Sequence, residues 1–482
     1  MPARDLIDQD ATAQLAALGA GRVGAVELLK AEFARHEHTH QRLNAVVAAD
    51  VERALERARA IDDQRGRGEA SGPLAGLPMT IKDTLDVSGM PASSGLEGLR
   101  RRQADDASAV AHVRRAGAVI WGKTNTPVMA GDWQTYNRLY GTTNNPWDSD
   151  RTPGGSSGGS AAALAAGVTA LEVGSDIGGS LRVPASFCGV FSHKPTWGLV
   201  TQHGHVPPMP GSWVERDLNV IGPMARSARD LRLLLSILSD SPLAPTARAA
   251  DLKATRIGLW LEDPLLLLDA EVRTAIEAFA AELSAAGAQV RPIASPVDIA
   301  ALLDAYVLLL GSVVAEDIPA SRLRAMELMR GPARLARRAG AGPLSWAAMT
   351  LAHTARHYEW TRADAVRARL SHQMSGVFEK VDVILAPVAP VTAFQHNHKP
   401  FNRRKLVCSN GLTAPYASML GWISLATACH LPVTAVPAGL GMSGMPVGVQ
   451  IIGPRGGDAR TLAVAQAIDE NVRGWTAPDL AV

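Results

Sequence analysis

Short apolar runs alternate along the chain with longer stretches of helical periodicity. Leu15 and Leu18, then Val26, Leu29 and Phe33, recur at three- to four-residue spacing. That predicts one or two helices over 10–37, with Asp10 as N-cap. An Ala/Arg/Glu-rich helix is predicted over 50–65. GPLAGLPMTIKD (72–83) reads as a turn and a short strand, MTI, ending at Lys82. Within 105–123 a helix (ASAVAHVRRAG) leads into the strand-like run AVIW. Residues 152–180 read as a Gly/Ser loop, an alanine-rich helix (SAAALAAGVTAL) and a second loop (GSDIGGS).

The second half continues the alternation. RIGLWL (256–261) and AQVRPI (288–293) read as strands around an amphipathic helix at 269–287. Residues 300–380 are mostly helical. VDVILAPVAP (381–390), LPVTAVPAG (431–439) and VGVQIIG (447–453) read as buried strands. Alternating strands and helices imply an α/β layered fold with a substantially parallel sheet. Length alone suggests about three domains. No repeat or low-complexity linker marks a boundary, so one domain over 1–482 is expected, with 300–380 as a helical cap.

Charge narrows the function classes. The 48 basic and 46 acidic residues leave a net +2. So even a balance provides no long-range field for nucleic acid or anionic membranes. Cys188, Cys408 and Cys429 show neither metal-ligand spacing nor an even disulfide framework, and are expected as buried thiols in a reducing compartment. The start, MPARDLIDQDATAQLAALGAG, lacks the cationic and apolar blocks of a signal peptide. No run is read as approaching the roughly 18 apolar residues of a membrane span. A cytoplasmic location is the expectation.

Three segments carry candidate chemistry. In SDIGGSLRVP (175–184), Gly178 and Gly179 precede Ser180. Glycines permit a turn in which the N–H groups of Ile177 to Ser180 converge on one point, as an oxyanion hole requires. A capping serine on a glycine turn is the plain alternative. TPGGSSGGSAA (152–162) contains G-x-S-x-G from Gly154 to Gly158, the pattern of a nucleophile elbow, but SDRTP before it makes a poor strand. Lys82 closes an apolar stretch, where burial would lower its pKa toward that of a base; an ordinary strand-end lysine is the other reading.

Other matches are weaker. Gly117 to Thr124 fits the P-loop pattern, yet AVIW inside it is strand-like and Asn125–Pro127 resists a helix. His36, His38 and His40 do not share a helical face, and no glutamate of an HExxH motif separates His353 from His357. No metal site follows. The arginines of 322–338 lack interleaved aromatics and read as a solvated helix face.

Together these segments resemble the amidase signature family. GLPMTIKD (76–83) is similar to its lysine motif; TPGGSSGGSAAALAAG (152–167) and GSDIGGSLRVPASFCGVFSHKPT (174–196) are similar to the signature. GKTNTPVMAGDWQTYNRLYGTTNNPWD (122–148) and MPVGVQIIGP (445–454) extend the resemblance over nearly the whole chain, and the two signature serines stand 24 residues apart as the family requires. The resemblance implies a single large α/β domain, a twisted mixed sheet covered by helices. It implies Ser180 as nucleophile forming an acyl-enzyme, Ser156 as relay in an unusual backbone geometry, and Lys82 as base. Ile177, Gly178, Gly179 and Ser180 would supply the oxyanion N–H groups. Asp176 and Arg182 would support that loop, and Ser157 would be structural. The G-x-S-x-G serine thereby becomes a relay. No metal or organic cofactor is implied.

By position, Ala130, Gly131, Asp132 and Trp133 are expected to line the acyl pocket. Trp133 would stack on an aryl or alkyl group. Asp132 would either attract a cationic or hydrogen-bonding substrate or be satisfied by backbone N–H groups. The expected substrate is a small to medium amide, with esters or carbamates as secondary substrates, and a homodimer is common in such folds. The family's transamidosome subunits read like GSSTENSAFG where this chain has AGDWQTYNRLYG (130–141), which favours a stand-alone hydrolase over a non-autonomous amidotransferase subunit. His430, before Leu431, falls in a region that approaches the substrate channel, with packing as its expected role.

Overall fold

Strands that read as continuous apolar runs are those buried on both faces. In Val383–Pro387, Val383 and Leu385 enter one core while Ile384 and Ala386 enter the other. Val436 and Val433 divide in the same way. The period of two along a strand sends neighbours to opposite faces, so a sheet clad on both sides needs apolar residues throughout. The structure, a computed structural model, describes residues 3–69, 72–240 and 249–480.

These strands belong to an eight-stranded sheet. From edge to edge it runs Gln289–Pro292, Arg256–Leu259, Val383–Pro387, Pro446–Ile452, Val433–Leu440, Phe191–Lys194, Val220–Ala225 and Leu171–Asp176. One core packs it against helices that include Ala228–Leu238, Ala270–Ala285 and Asp458–Asn471. The other packs it against Ile299–Val314 and Leu420–Ala428. The fold is the expected mixed sheet covered by helices, in a single α/β domain.

The substantially parallel sheet read from the alternation is corrected. Only the pairings of Arg256–Leu259 with its two neighbours are parallel. The other pairings in this sheet are antiparallel. A parallel connection needs a crossover of a dozen or more residues. The helix Ala270–Ala285 provides one, whereas Val433–Leu440 turns back into Pro446–Ile452 through only five residues.

The alanine-rich helix also ends earlier than expected. It spans Gly158–Ala165, and Leu171–Asp176 is a strand. Gly167 adopts φ +68°, and the Val168 N–H reaches back to the Ala163 carbonyl, a glycine-terminated helix end. Phe191–Lys194 and Val220–Ala225 are strands that the apolar pattern does not predict.

A separate three-stranded sheet orders Val46–Ala49, Val119–Thr124 and Pro78–Lys82. Its central strand holds Val119–Thr124 of the P-loop match, as the strand-like AVIW implies. Lys123 is fully buried, with Nζ 2.9 Å from Asp83 and 2.8 Å from the Pro91 carbonyl oxygen. It faces protein, not a phosphate.

Segment 300–380 folds into five α-helices between Ile299 and Lys380. Contrary to the sequence reading, Ile299–Asp317 has a mean hydropathy of 1.9 and is long and apolar enough to cross a membrane by length and composition. Here Leu302, Tyr306 and Leu309 bury its apolar face in the second core.

Candidate active site

Lys82 ends the edge strand Pro78–Lys82 and is fully buried. Its Nζ lies 2.7 Å from Ser156 Oγ and 2.9 Å from Ser175 Oγ. Burial pulls its pKa down from 10.5 to about 7, against an opposing pull from Asp176 and Glu172. Glu172 is an incomplete counter-ion. Burial pushes its carboxyl up to about 8 despite hydrogen bonds to Thr80, Ser160 and Thr124. A lysine without a firm partner is therefore poised to exchange a proton near neutrality.

The glycine–serine loop owes its composition to close packing. A Cβ on Gly155 would stand 2.4 Å from the Asp132 carbonyl oxygen, and one on Gly159 would stand 2.4 Å from the Asn125 nitrogen. Only glycine lets this loop lie so near 125–134. The Gly155–Ser156 peptide is cis, the unusual geometry expected at Ser156. The Ser157 N–H donates to the Ser180 carbonyl at 3.2 Å, and Ser157 Oγ donates to the Ser175 carbonyl at 3.4 Å. Both bonds tie this loop to the turn bearing Ser180.

That turn is held by its carbonyls. Ile177 O accepts from the Tyr306 hydroxyl (3.1 Å), Gly178 O from Trp133 Nε1 (2.7 Å), Gly179 O from Val183 N (2.7 Å) and Ser180 O from Ser157 N. With every carbonyl turned into protein, the N–H groups of Ile177, Gly178 and Ser180 have no acceptor among the described residues. Gly179 is a correction to the expected oxyanion set: its N–H donates to Asp176 at 2.9 Å. Its φ of +92° serves the turn.

Asp176 also accepts from Leu181 N (3.1 Å) and, at 3.0 Å each, from Arg182 Nε and Nη2. Burial raises its pKa, but the Arg182 charge and these donors outweigh it, leaving about 2. Arg182 is fully buried and further held by Ile423 O, Gln450 Oε1 and Thr427 Oγ1. Ser180 is 5 % exposed. Among the described residues no hydrogen bond joins its hydroxyl to Ser156. The Lys82–Ser156 hydrogen bond is formed and a Ser156–Ser180 one is not.

The acyl-pocket residues behave differently from expectation. Asp132 is neither open to a cation nor satisfied by backbone. It pairs with Arg404 at 2.5 Å and accepts from the Tyr416 hydroxyl at 2.8 Å. Trp133 is nearly buried, its ring against Tyr416 and Phe401 with centroids 5.3 and 5.8 Å away. Ala130 takes φ +54°. A cavity of about 650 Å³ borders Gly131 and Asp132, together with Tyr136 and His398. His430 stacks on Trp197 and bonds Asp217 at 2.8 Å, and Asp217 also pairs with Arg367. The three cysteines are free and buried.

Sequence reasoning missed Ser175, Glu172, Tyr306, Arg404 and Tyr416. Ser175 was within reach, since it sits inside the GSDIGGS motif. Arg404 and Tyr416 lie 272 and 284 residues from Asp132, where no local pattern links them.

The amidase family model matches residues 27–462. A glutamyl-tRNA(Gln) amidotransferase subunit from Chloroflexus aurantiacus is 35% identical over 485 aligned positions, covering 95% of each chain. Among solved structures, an amidase is 28% identical with a TM-score of 0.78, covering 96% of this chain and all of its own. A 6-aminohexanoate cyclic dimer hydrolase is 27% identical with a TM-score of 0.79, covering 99% of both chains.

Proposed function

The chain belongs to the amidase signature family, whose members hydrolyse C–N bonds, and we propose that it cleaves a carboxylic amide through an acyl-enzyme on Ser180. The observation that carries this reading is the buried Lys82 amine, near pKa 7, 2.7 Å from Ser156 Oγ. Lys82 takes the Ser156 proton as Ser156 takes that of Ser180, and Ser180 Oγ adds to the amide carbonyl. Negative charge on the carbonyl oxygen meets the free N–H groups of Ile177, Gly178 and Ser180. Collapse breaks the C–N bond, and the proton returns from Lys82 through Ser156 to the leaving nitrogen. Water then attacks the ester by the same route, releasing the acid. No cofactor enters these steps.

The amide is small to medium. Since Asp132 is neutralised by Arg404, a cationic group on the substrate gains no partner there. A fluorophosphonate should label Ser180 in the pure protein, and Ser180→Ala should remove the label. A folded protein that stays unlabelled would defeat the reading.

The arrangement in which the chemistry runs is a second question. AGDWQTYNRLYG favours a free-standing hydrolase. Curated relatives that are 32% and 35% identical, named as amidotransferase subunits, back a non-autonomous amidotransferase-type subunit better. A panel of amides and anilides, read by released ammonia or amine, separates the two. Turnover by the chain alone supports the first. Labelling of Ser180 without turnover until partner subunits are added supports the second.

A further inference from the structure

Ser175, the second partner of Lys82, has a partner of its own. His205 Nε2 lies 2.8 Å from Ser175 Oγ, and His205 Nδ1 lies 2.6 Å from the Pro207 carbonyl oxygen. Lys82, Ser175 and His205 are each at most 6 % exposed. The loop bearing His205 is fastened to the residues just after Lys82. Val206 N donates to Thr84 O, Asp86 N to Gly204 O, and Ser94 Oγ to Val206 O.

The direction of each bond follows from what each atom can do. A carbonyl only accepts, so the Nδ1 facing Pro207 carries the hydrogen. Burial and the nearby Lys82 charge push the His205 pKa down to about 3, so the ring is neutral and Nε2 holds a lone pair. Ser175 Oγ–H must then donate to Nε2. Ser175 Oγ therefore presents only lone pairs to Lys82, and a Lys82 N–H must donate to it. A neutral amine has one lone pair, and it is left facing Ser156 Oγ–H. Without His205, the Ser175 proton has no acceptor there except the Lys82 lone pair. It would occupy the site that must receive the Ser156 proton.

We propose that His205 is a positioning residue that, by fixing the Ser175 hydroxyl as a donor to itself, keeps the Lys82 lone pair free for Ser156. This rests on the reading of Lys82 as the base. It assigns a role to a loop histidine that touches neither Ser156 nor Ser180.

The test compares rates of fluorophosphonate labelling at Ser180. His205→Leu should label slower by on the order of tenfold or more, part of what a general base contributes. Ser175→Ala added to His205→Leu should restore the rate toward that of Ser175→Ala alone, because the obstructing hydroxyl is gone. A merely structural His205 predicts no such rescue. Wild-type labelling by His205→Leu, or a double variant slower than His205→Leu, would overturn the proposal. If Lys82→Ala labels as fast as wild type, the base assignment fails instead. Folding of the variants does not limit the test, since ¹⁵N-histidine NMR of the wild-type protein reads the ring directly. A neutral Nδ1–H form of His205 at pH 6 is expected, and an Nε2–H form would refute the polarity.

Discussion

Lys82→Met isolates what the buried amine costs the fold. The ordinary lysine pKa is 10.5, and in the folded chain Lys82 sits near 7. Between those values the unfolded chain holds a proton that the folded chain has released, so stability rises with pH across this window. The penalty is full below pH 7 and gone above 10.5. A fall of that size corresponds to about 5 kcal/mol. Methionine removes that penalty but forfeits the hydrogen bonds to Ser156 and Ser175, worth about 1 kcal/mol each. The net gain is about 3 kcal/mol below pH 7. At about 1 kcal/mol per kelvin for a chain of this size, the variant should melt about 3 °C higher by calorimetry at pH 6. By pH 9.5 the remaining penalty is about 1.4 kcal/mol, less than the lost hydrogen bonds, so the order reverses near pH 9. Lys194, also held near 7 by burial, titrates in both proteins and drops out of the difference. A variant less stable at pH 6, or a difference independent of pH, would refute the argument.

Other outcomes follow from the same geometry. Fluorophosphonate labelling of Ser180 should speed up as pH rises through about 7, where Lys82 loses its proton; a flat profile from 5.5 to 8.5 would contradict a lysine base. Arg182→Met leaves Asp176 buried without its cation and should cost about 3–5 kcal/mol, seen as a melting point lower by about 3–5 °C. An unchanged melting point would show that the pair does not hold the turn. Trp133→Phe strips the donor from Gly178 O and should destabilise by about 1–3 kcal/mol while slowing amide turnover; wild-type turnover would detach Trp133 from the proposed role of the 177–180 turn.

What was legible in the sequence was local or carried by ordered motifs. Asp10, Lys82 and the apolar run 383–387 announce a cap, a strand end and a doubly buried strand through their immediate neighbours. The roles expected of Ser156 and Ser180 rest on the motif set alone. Neither glycine run decides alone which serine attacks. The illegible part is long-range. Gly179 looks as available as Gly178 until the Asp176 carboxylate is seen to bend back three residues and claim its N–H. Asp132 looks like an open acid until Arg404 and Tyr416 arrive from the far end of the chain. Strand direction was misjudged because helix–strand alternation was extended from 256–292, where it holds, to the hairpin of 433–452, where it does not.

The apolar helix Ile299–Asp317 bears on how the chain is made. Translation delivers this segment before the helices Trp346–His353 and His357–Lys380, and well before Leu420–Ala428, all elements of the layer it joins. At about 5–20 residues per second, about 100 residues separate its appearance from that of Leu420–Ala428, an interval of roughly 5–20 s. For that time a ribosome-bound chain carries nineteen residues, apolar enough for a bilayer, with the later half of their covering layer not yet made. Fragments stopped between 317 and 420 should therefore bind chaperones and aggregate, whereas the full-length chain, in which Val433–Leu440 and Pro446–Ile452 complete the sheet, should not.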